Sequence, residues 1–377
     1  MQIKDREFYY AVDPDNAGRL WNVVWVHTHC KYAYWEFHDV ICFDTTYLVN
    51  QWHMPFASFI GVNQHHQSIL LGCALVTSED IDTYKYVFMT WLRAMDWVRP
   101  TTILMDQCES IKAALRVVMP DTIDRYCIWH IFTKLPFRLK RVRDHKIARR
   151  EFKSVVLDSI TIDEFEGRWD EFIERYGIGY RNWFSNLYSE RQRWVPVYLK
   201  HYFWVGMLST QRCEGMHAFF DGYINGQTIL KQFVEQYEIA VRAKFDKELQ
   251  SEYSSVYTES SVYNGYEWEF QIHKLYTRKM YDIFTMQING SYLECNCKNF
   301  QSAGIVCCYI LEVMRHKRIQ KIPDWYILRR WRRYVIRPHL KKFFPGGYPT
   351  MTDEFKKYNM LKKWFDRICD VALENEL

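Results

Sequence analysis

The feature that most constrains this chain is a change of hydropathy period between residues 39 and 139. Residues 39–47 (DVICFDTTY), 55–63 (PFASFIGVN) and 68–76 (SILLGCALV) are short, β-rich apolar runs, which predicts three strands. The polar stretch NQHHQ at 63–67 reads as the turn of a hairpin joining the second to the third. Over 82–97 the period becomes helical, with Tyr84, Val87, Phe88, Trp91, Leu92 and Met95 on one face. Residues 101–106 (TTILMD) follow Pro100 as a fourth strand. Residues 109–118 form a helix with Ile111, Ala114, Leu115 and Val118 on one face. Residues 122–127 are a fifth strand, and 128–139 a helix broken near Pro136.

Three strands in a meander followed by alternating helices and strands predict an α/β fold of the RNase H-like kind, with a mixed sheet. Residues 138–208 contain no convincing strand, and Phe165, Trp169, Phe172, Ile173 and Tyr176 keep helical spacing, so this stretch is expected to be a helical insertion. Helices are predicted over 211–223 and 228–249, split by Gly226. The polar stretch 253–264 is the expected domain boundary, and 267–293 reads as helix then strand. The resulting division is a lead-in over 1–37, a core over 38–137, the insertion over 138–208 and core helices over 209–252. A connector over 253–289, a cysteine region over 290–320 and a basic, charged tail over 321–377 complete it.

Composition narrows the class. Aromatic residues make up 18% of the chain, which excludes a disordered polymer. The 11 cysteines are odd in number and mostly scattered, so no disulfide framework is indicated, and a reducing compartment is expected. Residues 1–6 are charged and no apolar run follows, so no secretory signal is read. No stretch reaches membrane-span length, so no membrane partner is expected. The net charge of +5 is unevenly placed: residues 315–342 hold 11 Lys or Arg against one acid, so the remainder is acidic. Within them Arg329, Arg330, Trp331, Arg332 and Arg333 interleave guanidinium groups with an indole. That pattern suits phosphate contact and base stacking, with a solvated helix face and inward packing of Trp331 as the alternatives. A second basic cluster lies over 138–153.

Asp44 falls in the first strand and Asp106 at the end of the fourth. In an RNase H-like sheet those strands are neighbours, which would bring the two carboxylates together. Adjacent carboxylates repel and favour a divalent cation, Mg²⁺ or Mn²⁺, of the kind used in phosphodiester cleavage or strand transfer. Glu214, in TQRCEGM, is the candidate third acid. The plain alternative is that each Asp merely caps a turn. Cys127 and His130 sit three residues apart at a helix start. They are either core residues or neighbours of the acid site.

Residues 44–50 (DTTYLVN), 54–63 (MPFASFIGVN), 71–75 (LGCAL) and 105–107 (MDQ) resemble the Mutator-like element transposase domain. They are most similar to its domesticated plant branch, the far-red-impaired-response family of transcription regulators. Residues 125–130 (RYCIWH), 210–225 (TQRCEGMHAFFDGYIN), 228–237 (TILKQFVEQY) and 323–331 (PDWYILRRW) extend the resemblance in one order from Phe8 to Arg333. The resemblance implies that Asp44, Asp106 and Glu214 match the D, D and E of the transposase site. It also implies a nuclear protein that works with DNA, alone or as an oligomer with related chains. Cys295, Cys297 and Cys307 resemble three ligands of a SWIM-type zinc finger, Cys-x-Cys followed by Cys-x-His, but Tyr309 stands where its histidine would be. Cys308 and His316 are the candidate substitutes, and the remaining alternative is a set of buried thiols without zinc. Relatives of this branch carry a zinc-binding DNA-recognition module ahead of the core. Here the core begins near Phe8, Tyr9 and Tyr10, so that module is expected to be absent. Three functions follow from the resemblance: a transposase-derived regulator that is not an enzyme, an active metal-dependent DDE transposase, or a chain that only dimerises with longer relatives.

Overall fold

A computed structural model describes residues 7–14, 17–46, 53–225, 227–258, 261–262, 264–289 and 299–343. Seven strands form one mixed sheet: β1 (Tyr9–Pro14), β2 (Leu20–Val26), β3 (Val40–Thr46), β4 (Phe56–Val62), β5 (Ser68–Leu75), β6 (Thr102–Met105) and β7 (Ile123–Tyr126). The spatial order is β1-β2-β5-β4-β3-β6-β7. The meander β3-β4-β5 is antiparallel, and β6 and β7 are added in parallel beside β3. The five strands expected between residues 39 and 127 are all present, each within a residue or two of its expected bounds.

β4 is buried at every position, because helices cover both faces of the sheet. Helices α1 (Thr28–Phe37), α2 (Ile81–Ala94), α3 (Glu109–Val118) and α4 (Ile128–Arg138) belong to the sheet region. Side chains of β4 alternate between two helical partners. Phe59 stacks on Trp91 of α2 at 4.2 Å between ring centroids, whereas Ser58 meets a helix on the other face. Gly72 of β5 leaves room for the Trp91 indole: a Cβ there would lie 2.7 Å from the ring. The Trp91 Nε1–H donates to the Leu71 carbonyl at 3.1 Å, which satisfies its polar edge. Pro136 does not break α4, which continues to Arg138.

Residues 145–199 fold into α5 (His145–Asp158), α6 (Ile162–Tyr176), α7 (Asn182–Ser189) and the short α8 (Pro196–Leu199), around Phe152, Trp169 and Trp194. Then come α9 (Gln211–Asp221), α10 (Leu230–Tyr257), α11 (Glu267–Leu275), α12 (Arg278–Asn289), α13 (Asn299–Ala303) and α14 (Cys308–His316).

Three expectations are corrected. Residues 1–37 are not a lead-in. β1 and β2 pair with each other, β2 joins the free edge of β5, and α1 packs its Tyr34 on Trp91 at 5.0 Å. Residues 253–264 are not a domain boundary. α10 runs through Tyr257, and Met1–Val335 is one compact unit. Glu248 and Glu252 of α10 reach back to the 63–67 turn. Asn63 donates to Glu248 at 3.0 Å, Gln64 donates to Glu252 at 2.9 Å, and His65 Nε2 lies 2.7 Å from Glu252. The polar turn is therefore a buried docking point, its amides and imidazole paired because unpaired burial is costly. Finally, 278–289 is a second helix and not the expected strand; residues 290–293 lie outside the described residues. Ile336–Leu377 is a separate unit, described through residue 343, with a helix over Pro338–Phe343.

Candidate active site and its neighbours

β3 is buried through Phe43 and reaches partial exposure at Asp44. β6 runs parallel to it with Cys42 opposite Leu104, so Asp106, which follows the last residue of β6, emerges at the same sheet edge. α9 supplies Glu214 in its first turn. Two contacts fix that helix: Cys213 Sγ lies 2.8 Å from Cys42 Sγ on β3, and His217 Nε2 lies 2.8 Å from Ser58 Oγ on β4. Asp44, Asp106 and Glu214 consequently line one cavity of about 600 Å³.

Cys127 and His130 belong to the same place. Cys127 is buried at the start of α4, where Thr210 donates to its sulfur from both N and Oγ1 at 3.3 Å. His130 projects between two acids, with Nδ1 3.1 Å from Asp106 Oδ1 and Nε2 3.9 Å from Glu214 Oε1. Sequence reasoning missed His217, Asp221 and Glu79, which also line the cavity. His217 and Asp221 were visible in principle, since they recur three and seven residues after Glu214 on one helical face. Glu79 comes from a loop, where no periodicity marks it.

The charges are set by burial and by His130. Burial raises the Asp44 carboxyl to about 7; the His130 charge works against this without reversing it. Burial also opposes ionisation of Asp106, but the hydrogen bond and charge of His130 outweigh it and hold this carboxyl below its usual range. Burial disfavours the His130 imidazolium, yet its bonds to Asp106 and Cys127 prevail and lift it to about 10. Burial likewise penalises the Cys127 thiolate, and the hydrogen bonds from His130 and Thr210 overcome it and lower that thiol. His217 is pushed down to about 4 by burial, so it is neutral near pH 7.

As placed, these residues do not fit a divalent cation. Among the described residues no three His, Cys, Asp or Glu side chains are grouped to hold a metal ion. The imidazolium of His130 lies between Asp106 and Glu214, and a positive group there repels a second cation.

Comparison with known proteins gives this geometry its lineage. Residues 40–134 match the MULE transposase domain, from the first residue of β3 into α4. The chain is 32% identical over 372 residues to FAR1-RELATED SEQUENCE 5 of Arabidopsis thaliana, an alignment covering 88% of this chain and 47% of that protein. It is 30% identical over 363 residues to FAR-RED IMPAIRED RESPONSE 1 of the same plant, covering 86% and 44%. The chain carries a MULE transposase domain and is a homologue of the FAR1-related proteins. It spans about half the length of the curated relatives it matches.

Two further groups expected from the FAR1-related resemblance have different fates. Of the cysteine cluster, Cys295 and Cys297 lie outside the described residues. Cys307 is buried and Cys308 half-buried at the start of α14, while Tyr309 is exposed. Thiol donors suit zinc. His316 is nine residues beyond Cys307, about 13 Å along the helix, so as the substitute fourth ligand it does not reach an ion held by Cys307.

The basic segment mostly turns inward. Trp331 is fully buried and donates to the Gly304 carbonyl at 3.2 Å, which leaves no open ring face for a base. Gly304 has φ +71°, and a Cβ there would meet the Trp331 Nε1 at 2.9 Å, so the glycine is required by both conformation and space. Arg330 is buried and donates to both oxygens of Asp39, at 2.6 and 2.7 Å. Arg333 is buried and donates through Nε to the Tyr276 carbonyl at 2.7 Å. Arg332 is half-buried and donates to the Ile327 carbonyl at 3.2 Å. Only Arg329 of the five is exposed. The expected stacking of Trp331 on DNA and phosphate contact by Arg330 and Arg333 are thus corrected. The segment closes the fold because its donors meet carbonyls and a carboxylate within it.

Proposed function

We propose that the chain is a transposase-derived nuclear protein that regulates transcription through contact with DNA or with related partner chains, without cutting DNA. The observation that carries this reading is the position of His130, whose ring lies 3.1 Å from Asp106 and 3.9 Å from Glu214, where a metal-dependent nuclease needs an open pair of carboxylates. The fold is assigned to the RNase H-like class on the order of β3 to β7, with the first and fourth strands of that set parallel neighbours. Homology to the FAR1-related proteins supports the regulatory role. Among the described residues no helix is long and apolar enough to cross a membrane.

The test compares a nuclear reporter with a cleavage assay. Wild-type protein and Asp106→Asn are expected to accumulate in the nucleus and to change reporter output equally. Neither should cleave terminal-inverted-repeat DNA in Mg²⁺ or Mn²⁺. The convergence of Asp44, Asp106 and Glu214 on one cavity favours a second reading, a DDE transposase. Metal-dependent strand cleavage that Asp106→Asn abolishes would establish it and overturn the first.

The cysteine region is assigned to a zinc site of the SWIM type, with Cys295, Cys297 and Cys307 as ligands and Cys308 as the fourth. Metal analysis of the purified full chain should find about one zinc per molecule, lost in Cys295→Ser. A folded, zinc-free protein would refute the assignment.

A further inference from the structure

α9 separates two cavities of opposite charge. Glu214, His217 and Asp221 line the acid cavity, whereas Gln211, Arg212, Gly215 and Met216 line a second one of about 780 Å³. The 66–69 end of the β4–β5 hairpin, residues 205–209, α10, α12 and the stretch 299–305 complete its walls. α10 contributes Lys244 and Lys247, and among the described residues no Asp or Glu lines it.

Among the described residues its three cations have no counter-charge. Arg212 donates to the His66 carbonyl at 3.1 Å, lies 3.1 Å from the His66 ring nitrogens, and is 3.4 Å from Ser68 Oγ. All of these are neutral: burial, followed by the Arg212 charge, pushes the His66 imidazole down to about 4. Lys244 is held 4.0 Å from the Phe219 ring centroid. Burial lowers its ammonium, and the neighbouring Lys247 lowers it further. Among the described residues none of the three makes an ion pair, although like charges facing one half-enclosed space repel. An anion in that space would relieve the repulsion. Arg212 is held by His66 and Ser68 and adds its charge to the wall, and the two ammonium groups beside it suit more negative charge than one carboxylate carries. The volume is also far larger than a monatomic anion needs.

We propose that the cavity between α9, α10 and the β4–β5 turn binds a phosphate group, presented by a nucleic-acid backbone or by a free oligophosphate. The site lies on the opposite side of α9 from the acids. Its nucleic-acid arm rests on the DNA contact proposed above, whereas its oligophosphate arm does not, and the reporter can fail while phosphate binding persists.

The test uses the full chain. Binding of a 20-base-pair duplex is measured across a salt series, and binding of inorganic pyrophosphate by calorimetry, for wild type and for Lys244→Gln/Lys247→Gln. A control, Arg93→Gln/Arg116→Gln, removes equal charge from exposed positions outside both basic clusters. The first double variant is expected to lose about tenfold in affinity for one of the two ligands. If the duplex is the ligand, the salt slope should also fall by roughly 2. A loss confined to duplex assigns the phosphate to nucleic acid; a loss for pyrophosphate assigns it to a free oligophosphate. Pyrophosphate binding would also raise the Tm of the wild type and the control, but not of the first variant. The proposal is overturned if wild type binds neither ligand, or if the two double variants lose affinity equally.

Discussion

Arg330→Ala is expected to destabilise the folded protein by about 3–5 kcal/mol, and Trp331→Ala by a similar amount. Arg330 sits under Phe37, Phe203 and Trp331, at 4.8, 5.5 and 5.2 Å from their ring centroids, and forks onto Asp39. Its removal leaves a hole among aromatic rings and a carboxylate without its guanidinium. Arg329→Ala removes a guanidinium largely in solvent but takes a charged partner from the nearly buried Glu36, and should cost about 1–2 kcal/mol, less than Arg330→Ala. Urea unfolding of the three variants separates these cases. Wild-type stability of Arg330→Ala, combined with lost DNA affinity, would instead place that arginine on a nucleic acid.

The basic segment shows where the sequence stops being legible. A run of arginines around a tryptophan has the same composition whether it faces phosphate or its own carbonyls. What decides is the position of Asp39, Tyr276 and Gly304, which are distant in sequence. The central strands were legible because burial on both faces leaves continuous apolar runs such as FASFIGV in β4. β1 and β2 were missed for other reasons. The burial of β1 alternates, but its outward positions hold apolar Tyr10 and Val12 and show no polar alternation, and β2 is an apolar run whose place is set by its pairing with the distant β5. Asp44 and Asp106 were legible from their strand positions, family resemblance decided their role and that of Glu214, and the structure brings the three to one cavity. The insertion of His130 between two of them is a tertiary fact that no spacing encodes. The 63–67 turn was placed correctly, but its burial depends on two glutamates nearly two hundred residues later.

Two groups of the acid cavity, His130 and Asp44, each lower stability as pH rises, whereas His217, pushed down to about 4, works against them between about pH 4 and 6.5, and the lowered Asp106 and Cys127 oppose them too. His130 has a folded pKa of about 10 against an ordinary 6.5. Its stabilising contribution is therefore complete below 6.5 and lost as pH climbs through about 10. Asp44 has a folded pKa of about 7 against 3.8. The unfolded chain releases that proton first, so a cost develops above about pH 4 and is complete above about pH 7, up to roughly 4 kcal/mol. Asp44→Asn removes the charge while keeping the shape, and should raise Tm by several degrees at pH 8 with little change at pH 4. His130→Gln should flatten the decline between pH 7 and 10. Thermal unfolding from pH 4 to 10 checks both. A Tm for Asp44→Asn equal to the wild type at pH 8 would mean that the carboxylate is not strained by burial. Addition of Mg²⁺ sharpens the result. The closed arrangement predicts no metal-dependent rise in wild-type Tm at pH 8. A rise that Asp44→Asn abolishes would mean that a cation displaces His130, and the DDE reading would replace the regulatory one.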